Sequence, residues 1–251
     1  MKSFISTVAM TALATTVFAA PAHAQIMDGW TGDASLSGST TTGNTETTDV
    51  GLGLAVTKTD GIYRNKFDAT YDLGSVSGAD TKNRLFLGYQ LDRDFNDRTY
   101  AFGNVNYFKD DFGAFETGYY AGAGLGYKVL VTEPTLWNVE AGLGYRSQET
   151  QAIGTFGTPG FLASVEEGEI AARFGSEFDY AFNDAVSFYN DSEILTSSSD
   201  TYLWNDAGIT AQLAGNLSAR FGVRVDHHTD VPVGRENTDT ITRGAIVYTI
   251  K

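Results

Sequence analysis

Hydrophobic and polar residues alternate one by one along most of the chain after residue 24. In residues 30–38 the even positions are Trp, Gly, Ala, Leu and Gly, whereas the odd positions are Thr, Asp, Ser and Ser. Successive side chains of a β-strand point to opposite faces, so this period of two predicts a strand with one apolar and one polar face. The same alternation returns at 50–56, 66–73, 84–92, 119–129, 137–146, 169–180 and 217–226.

Further segments bring the predicted number of strands to about twelve, with ten and fourteen left open. Less regular alternation marks residues 99–108, 185–195 and 201–213, and a final segment covers 239–250. Tight turns are predicted at 59–61, 96–97, 132–134, 183–184 and 215–216. Between them lie longer stretches rich in Gly, Ser, Thr and Asp, near 39–47, 74–82, 109–117, 147–165, 196–200 and 228–238. Short turns alternating with long loops are typical of outer-membrane barrels.

The division of charge between the two faces favours a membrane barrel over a soluble one. One face carries a charged residue in nearly every predicted strand, while the other holds Leu, Val, Ala, Phe and Tyr. A soluble sandwich or lipocalin-like barrel would bury its inward positions, where charges are costly without partners. The outward aromatic residues match interfacial girdles: Trp30, Tyr71, Tyr89, Tyr127, Trp137, Tyr145, Tyr180 and Tyr248. We therefore predict an all-β fold, a single antiparallel up-and-down transmembrane β-barrel.

The first 24 residues have the composition of a secretory signal peptide. Lys2 is their only charge, an apolar and small-residue stretch covers 4–20, and Ala22 and Ala24 supply small residues two apart. This pattern predicts cleavage after Ala24. The barrel domain is then 25–251, and its predicted location is the cell outer membrane of a Gram-negative bacterium.

Composition excludes several other classes of protein. The net charge of −14 and the pI near 4.5 argue against nucleic acid as a partner. The absence of cysteine in the 251 residues excludes disulfides and thiolate metal sites. A mean hydropathy of −0.18 without an 18-residue apolar run excludes a helical membrane protein. The expected partners are outer-membrane lipid, lipopolysaccharide and the barrel-assembly machinery, with no cofactor and an open oligomeric state.

Several short motifs resemble the salt-induced outer membrane protein family, whose domain has no known function. They are Trp30-Thr31-Gly32, Gly43-Asn44-Thr45-Glu46-Thr47, the glycine-rich segments 122–127 and 140–146, Thr238-Asp239-Thr240 and Val247-Tyr248. The chain ends in Ile250 and Lys251, where the family usually has a terminal aromatic residue. The resemblance implies an outer-membrane barrel that responds to salt, and it implies no substrate or catalytic residue.

Charged residues on the polar face predict a cross-linked lumen. We count as inward nine cations (Arg64, Lys66, Arg84, Lys128, Arg146, Arg173, Arg220, Arg224, Arg243) and eleven anions (Asp33, Asp49, Asp68, Asp72, Asp92, Glu140, Glu169, Glu177, Asp179, Asp226, Asp239). Antiparallel registers would set opposite charges side by side as three pairs: Asp72 with Arg84, Arg64 with Asp92, and Arg146 with Glu169. Such a nearly balanced lumen favours a narrow or closed pore, although the pairs could serve only to fix the barrel.

Glycines on two neighbouring strands predict a patch of lumen wall without side chains. Their spacing is not that of a dinucleotide loop, because it lacks G-x-G-x-x-G and a following helix. The patch comprises Gly122, Gly124, Gly126, Gly142 and Gly144. Glycine weakens a strand unless something approaches closely or the strand bends. One hypothesis is that loop 147–165 folds inward against the patch, and the other is that the glycines ease curvature.

Three functions follow from these patterns. The first is a narrow passive channel for small polar solutes or ions, gated by loop 147–165, and the second is a closed barrel that stabilises the envelope under osmotic or salt stress. The third is a hydrolase at the barrel rim, built on Asp226 and His228 with Asp110 and Asp111 nearby. We predict a protein that is not an enzyme. No metal site is predicted, because His227 and His228 are adjacent and point to opposite faces. Acidic loops could still bind divalent cations that bridge to lipopolysaccharide phosphates.

Overall fold

All the strands expected from the alternation are present in the computed structural model, which describes residues 29–43, 47–76, 79–152, 154, 156, 158–232 and 234–251. The signal peptide at 1–24 and residues 44–46 of the first loop lie outside the described residues. The strands are β1 (Trp30–Thr42), β2 (Thr47–Asp60), β3 (Tyr63–Val76), β4 (Ala79–Asp94), β5 (Thr99–Asp110), β6 (Phe115–Thr132), β7 (Thr135–Thr150), β8 (Glu166–Asn183), β9 (Val186–Thr196), β10 (Thr201–Ala214), β11 (Leu217–His228) and β12 (Thr238–Ile250).

Each strand pairs antiparallel with its neighbours in the chain, and β1 also pairs with β12, which closes the sheet into a barrel. The predicted up-and-down barrel is therefore confirmed, with twelve strands. Closure leaves no strand edge unpaired, as a sheet that faces lipid requires. Among the described residues there is no helix of the length and apolarity needed to span a membrane.

The connections define two different ends of the barrel. Turns at 61–62, 95–98, 133–134, 184–185 and 215–216 form the short-turn end, where β1 begins and β12 ends. Gly61 and Gly215 adopt left-handed backbone there, with φ of 59° and 56°, which glycine reaches without steric cost. The opposite, long-loop end carries 111–114, 151–165, 197–200 and 229–237. The loop predicted at 74–82 is shorter, because β3 continues to Val76 and β4 already begins at Ala79.

The apolar face is outside and the charged face is inside. Leu52 and Leu143 on the outer surface are 53% and 65% exposed, and Leu87 and Val223 are also exposed there. Arg146, in contrast, is buried at 4% exposure inside the barrel. This arrangement is that of a barrel surrounded by lipid and filled by polar side chains, and it places the candidate chemistry in the lumen.

Candidate functional site

Two ion pairs cross the lumen between nearly opposite walls. Lys66 Nζ of β3 lies 3.2 Å from Glu177 Oε2 of β8. Arg84 Nη1 of β4 lies 3.7 Å from Asp226 Oδ2 of β11. In the ring of twelve strands the members of each pair stand five strands apart. The lumen is therefore narrow enough at both levels for single side chains to bridge it.

A hydrogen-bonded network fills the part of the lumen beside β4–β8. Gln90 Nε2 donates to Asp92 Oδ1 and Glu140 Oε1, at 2.8 Å each. Tyr100 donates its hydroxyl proton to the same Glu140 oxygen at 2.8 Å. Arg173 Nη1 donates to Glu140 Oε2 at 2.6 Å. Because these buried polar groups have partners, this side of the lumen is a packed wall.

The predicted pairs on β3 and β4 lie opposite one another in the register, but only one of them forms a contact. Arg64 is opposite Asp92, and Arg64 Nη2 lies 2.9 Å from Asp92 Oδ2. Asp72 is opposite Arg84, yet Arg243 of β12 reaches Asp72 at 3.4 Å. The guanidinium groups extend from their own strands toward other walls, so cross-strand position alone does not decide which charges meet.

The predicted pair of Arg146 and Glu169 belongs to a larger cluster at the long-loop end. The two residues are opposite in the register, with 3.7 Å between Arg146 Nη2 and Glu169 Oε1. Arg146 Nη1 lies closer to Asp200 Oδ2, at 3.2 Å, and His228 Nδ1 bonds the same Asp200 oxygen at 2.7 Å. Burial alone would raise the pKa of Asp200, but His228, the Asp230 backbone N–H and Arg146 together lower it to about 2. Asp200 is thus an ionised anchor that ties loop 197–200 to loop 229–237.

The pairing of Asp226 with His228 at the rim, on which the hydrolase alternative depended, is wrong. Both residues face inward, but the carboxylate of Asp226 accepts hydrogen bonds from Arg224 and Tyr202. His228 instead bonds Asp200 and stacks on the Tyr202 ring, with 4.5 Å between ring centroids. Arginine is always charged and has five donors, so it is the stronger partner for a buried carboxylate.

The other two carboxylates of that alternative have local structural roles. Asp110 Oδ1 accepts the backbone N–H groups of Phe112 and Gly113, at 3.1 and 2.9 Å. Asp111 pairs with Lys109 at 3.0 Å. Across the described residues there is no group of three or more His, Asp or Glu side chains placed to hold a metal ion.

The glycine patch is covered by aromatic rings from the lumen wall itself. Gly124 pairs with Gly142, and Gly122 pairs with Gly144. A Cβ atom at each of the five positions would meet a ring: Tyr120 at Gly122 and Gly144, Phe102 at Gly124 and Gly142, and Tyr100 at Gly126. The glycines thus make room for three inward rings, which lie against β6 and β7.

The expectation that loop 147–165 folds against this patch is therefore wrong. Strand β7 continues to Thr150, and Gln151 donates to the backbone carbonyls of Asp110 and Gly113 at 3.1 and 3.0 Å. Further along, Phe156 and Leu162 are 86% and 56% exposed. The described part of this loop contacts the rim of the long-loop end, because the rings already occupy the space inside.

A polar cavity lies in another part of the lumen, beside β8–β12 and β1. Its volume is about 510 Å³. One end of the cavity is near the short-turn end, at Ser187, the second residue of β9, and Thr249, the next-to-last residue of β12. From there the cavity extends inward to Arg224 and Arg243. Its charged lining consists of Asp33, Asp179, Asp191, Asp206, Arg220, Arg224 and Arg243.

A family model described as "Protein of unknown function, DUF481" matches residues 34–250. The chain belongs to this DUF481 family. That description does not mention salt, so the salt response implied by the sequence motifs stays a prediction. The comparison with curated proteins found no match.

Solved outer-membrane barrels share the fold of this DUF481 protein. The NanC porin is 10% identical, with a TM-score of 0.56 over 86% of this chain and 100% of the porin. The translocator domain of the autotransporter NalP from Neisseria meningitidis is 16% identical, with a TM-score of 0.52 over 88% of each chain. Identities this low show a common fold alone.

Sequence reasoning missed several charged residues of the DUF481 lumen. They are Lys82, Asp191, Glu193 and Asp206, all on inward positions of β4, β9 and β10. Lys82 Nζ lies 2.9 Å from Asp49 Oδ2, and Glu193 Oε2 accepts from Arg173 at 2.6 Å. Continuing the period of two along each strand, away from its tight turn, would have placed all four residues on the inward face.

Proposed function

We propose that this DUF481 barrel is a narrow passive channel for small polar solutes or ions. The observation that carries the proposal is the polar cavity, which reaches from the short-turn end into the lumen. Its volume of about 510 Å³ is far above the roughly 15 Å³ that one water molecule needs. Aspartate and arginine side chains line this space, so it suits water and polar solutes far better than apolar ones.

The inner end of the cavity is the constriction in this proposal. Arg224 lines the cavity and donates to Asp226, and Arg84 reaches the same carboxylate at 3.7 Å from the opposite wall. Tyr202 donates its hydroxyl proton to Asp226 as well. Side-chain movement in this group would connect the cavity to the long-loop end, so it takes the gating role first expected of loop 147–165.

Single-channel recording in planar bilayers tests the proposal through an Arg84→Ala variant. The wild-type protein should give small discrete current steps, and the variant should give larger ones, because one of the two ion pairs that cross the lumen is removed. Asp226 keeps Arg224 and Tyr202 as partners, so the variant should still fold. Arg93→Ala removes the same charge from the outer surface and should conduct like the wild type. Equal steps in all three proteins would refute the assigned constriction.

A closed structural barrel is the second candidate, and the two lumen-crossing ion pairs favour it. In that case the lumen charges would brace the walls and stabilise the envelope without passing solute. The same recordings distinguish the two candidates, because a sealed barrel gives no discrete steps in either the wild-type or the Arg84→Ala form.

We also propose that the protein resides in the outer membrane. An apolar outer surface supports insertion of residues 25–251 into the outer membrane of a Gram-negative bacterium, in contact with lipid and lipopolysaccharide. The barrel-assembly machinery would insert it. Fractionation of the envelope would test this location, and recovery in the inner membrane would contradict it.

A further inference from the structure

We infer that the lumen of this channel favours cations over anions. The inference rests on the proposed channel function and names the class of solute that the channel would pass. It comes from the way the lumen charges pair with one another, which a count of inward cations and anions conceals.

Every lysine and arginine that faces the described lumen is within 4.0 Å of a carboxylate. The shortest of these contacts are the two that Arg173 makes with Glu140 and Glu193, at 2.6 Å each. Arg84 is the farthest from its nearest carboxylate, Asp226, at 3.7 Å. The paired cations are Arg64, Lys66, Lys82, Arg84, Lys128, Arg146, Arg173, Arg220, Arg224 and Arg243. The positive charge of the lumen is therefore fully compensated.

Four inward carboxylates have no such partner among the described residues: Asp68, Asp179, Asp191 and Asp206. The last three line the cavity on the wall formed by β8, β9 and β10. Asp206 accepts one hydrogen bond, from the Tyr189 hydroxyl at 3.0 Å, which brings no positive charge.

The arginines that line the rest of the cavity, on β11 and β12, are each paired with another carboxylate. Arg220 is 2.7 Å from Asp33, Arg224 is 2.8 Å from Asp226, and Arg243 is 3.4 Å from Asp72. An anion entering the cavity meets guanidinium groups that already have a carboxylate, whereas a cation meets carboxylates that have no cation.

The narrow lumen makes this imbalance effective. Opposite walls are bridged by single side chains, so a solute in the cavity is always within about 10 Å of the uncompensated carboxylates, a distance over which salt at 0.1 M screens only partly. Carboxylate groups that line a pore select cations by the same electrostatics.

Reversal potentials under a potassium chloride gradient test the inference. The test variant is Asp179→Asn/Asp191→Asn/Asp206→Asn, which removes charge but keeps size, and the asparagine oxygen at 206 can still accept the Tyr189 hydroxyl. The matched control is Asp60→Asn/Asp97→Asn/Asp184→Asn, which removes the same charge from exposed positions at the same end. Because none of the six carboxylates has an ion pair in the described structure, both proteins should fold like the wild type. Asp191→Asn alone serves as a milder variant.

The wild-type channel and the control should show a reversal potential that is shifted from zero toward the equilibrium potential of potassium. The test variant should lose most of that preference, and Asp191→Asn should lose part of it. A wild-type channel that is unselective or prefers chloride overturns the inference and leaves the channel standing. An unchanged reversal potential in the test variant overturns the assignment to this cavity. Absence of current in every form overturns the proposed channel and the inference together.

Discussion

A single methyl group at Gly124 would disturb the lumen wall. The added Cβ would collide with the carbonyl oxygen of Ala141 and lie 2.6 Å from Gly142 Cα, both on the paired strand. Backbone of a neighbouring strand cannot turn away as a side chain can, so Gly124→Ala should lower the free energy of unfolding by about 1–3 kcal/mol. Urea unfolding in detergent micelles measures this. Gly244→Ala, where a Cβ meets nothing within 4 Å, is the control. Equal losses in both variants would contradict the explanation.

The odd or even position of a residue in a strand predicts which face its side chain occupies. It does not predict the direction in which the side chain extends along that face. The alternation on β6 and β7 places Gly124 and Gly142 on the inward face, and the register then sets them opposite each other. The ring that covers this pair is Phe102 of β5, while Tyr100 and Tyr120 cover the other glycines of the patch. Their direction depends on side-chain rotamers and on the space that the glycines leave, neither of which appears in a pattern of apolar and polar positions.

Strands β9 and β10 show why a strand is easier to predict than the assignment of its residues to the inward or outward face. Their outward positions include Asn190, Ser192 and Asn205, which bond one another: Asn205 Nδ2 donates to Ser192 Oγ at 2.7 Å, and Ser192 Oγ to Asn190 Oδ1 at 3.3 Å. Polar residues thus occur on both faces, which blurs the alternation. The strands remain recognisable from length and turns, while inward Asp191 and Asp206 go unnoticed.

This outward polar group faces the lipid layer and should weaken the barrel. Asn190→Leu/Ser192→Ala/Asn205→Leu removes the three polar side chains together, so none of them is left without its partner. We expect the free energy of unfolding in lipid vesicles to rise by about 1 kcal/mol, since polar groups cost free energy in an apolar medium. Asn205→Ala alone leaves the Ser192 hydroxyl facing lipid and should gain less. A loss of stability in the triple variant would contradict a lipid-facing role and indicate a face covered by protein.

The alternation of residues and the lengths of the connections are enough to predict the whole barrel. They do not predict the side-chain contacts that cross its lumen. Alternation and the succession of short and long connections gave twelve strands, and their closure followed from the need to leave no edge in lipid. The contact between Lys66 and Glu177 joins residues 111 positions apart. Such a contact depends on the bore and stagger of the closed barrel, which strand number and shear set together. No local pattern contains that information.

The lumen-crossing pair should couple opposite walls in a measurable way. A double-mutant cycle with Lys66→Met and Glu177→Gln isolates its interaction energy, because Asp92 keeps Arg64 and Gln90 when Lys66 is changed. Both side chains are partly exposed to the lumen, so we expect a coupling of about 0.5–1 kcal/mol in urea unfolding. The pair Lys109 and Asp111 joins neighbours on one rim, and Lys109 is more exposed than Lys66, so its cycle should give a smaller value. If the Lys66–Glu177 coupling were no larger than that of the rim pair, the walls would be held by the backbone ladder alone. The lumen charges would then be free to rearrange around a passing solute.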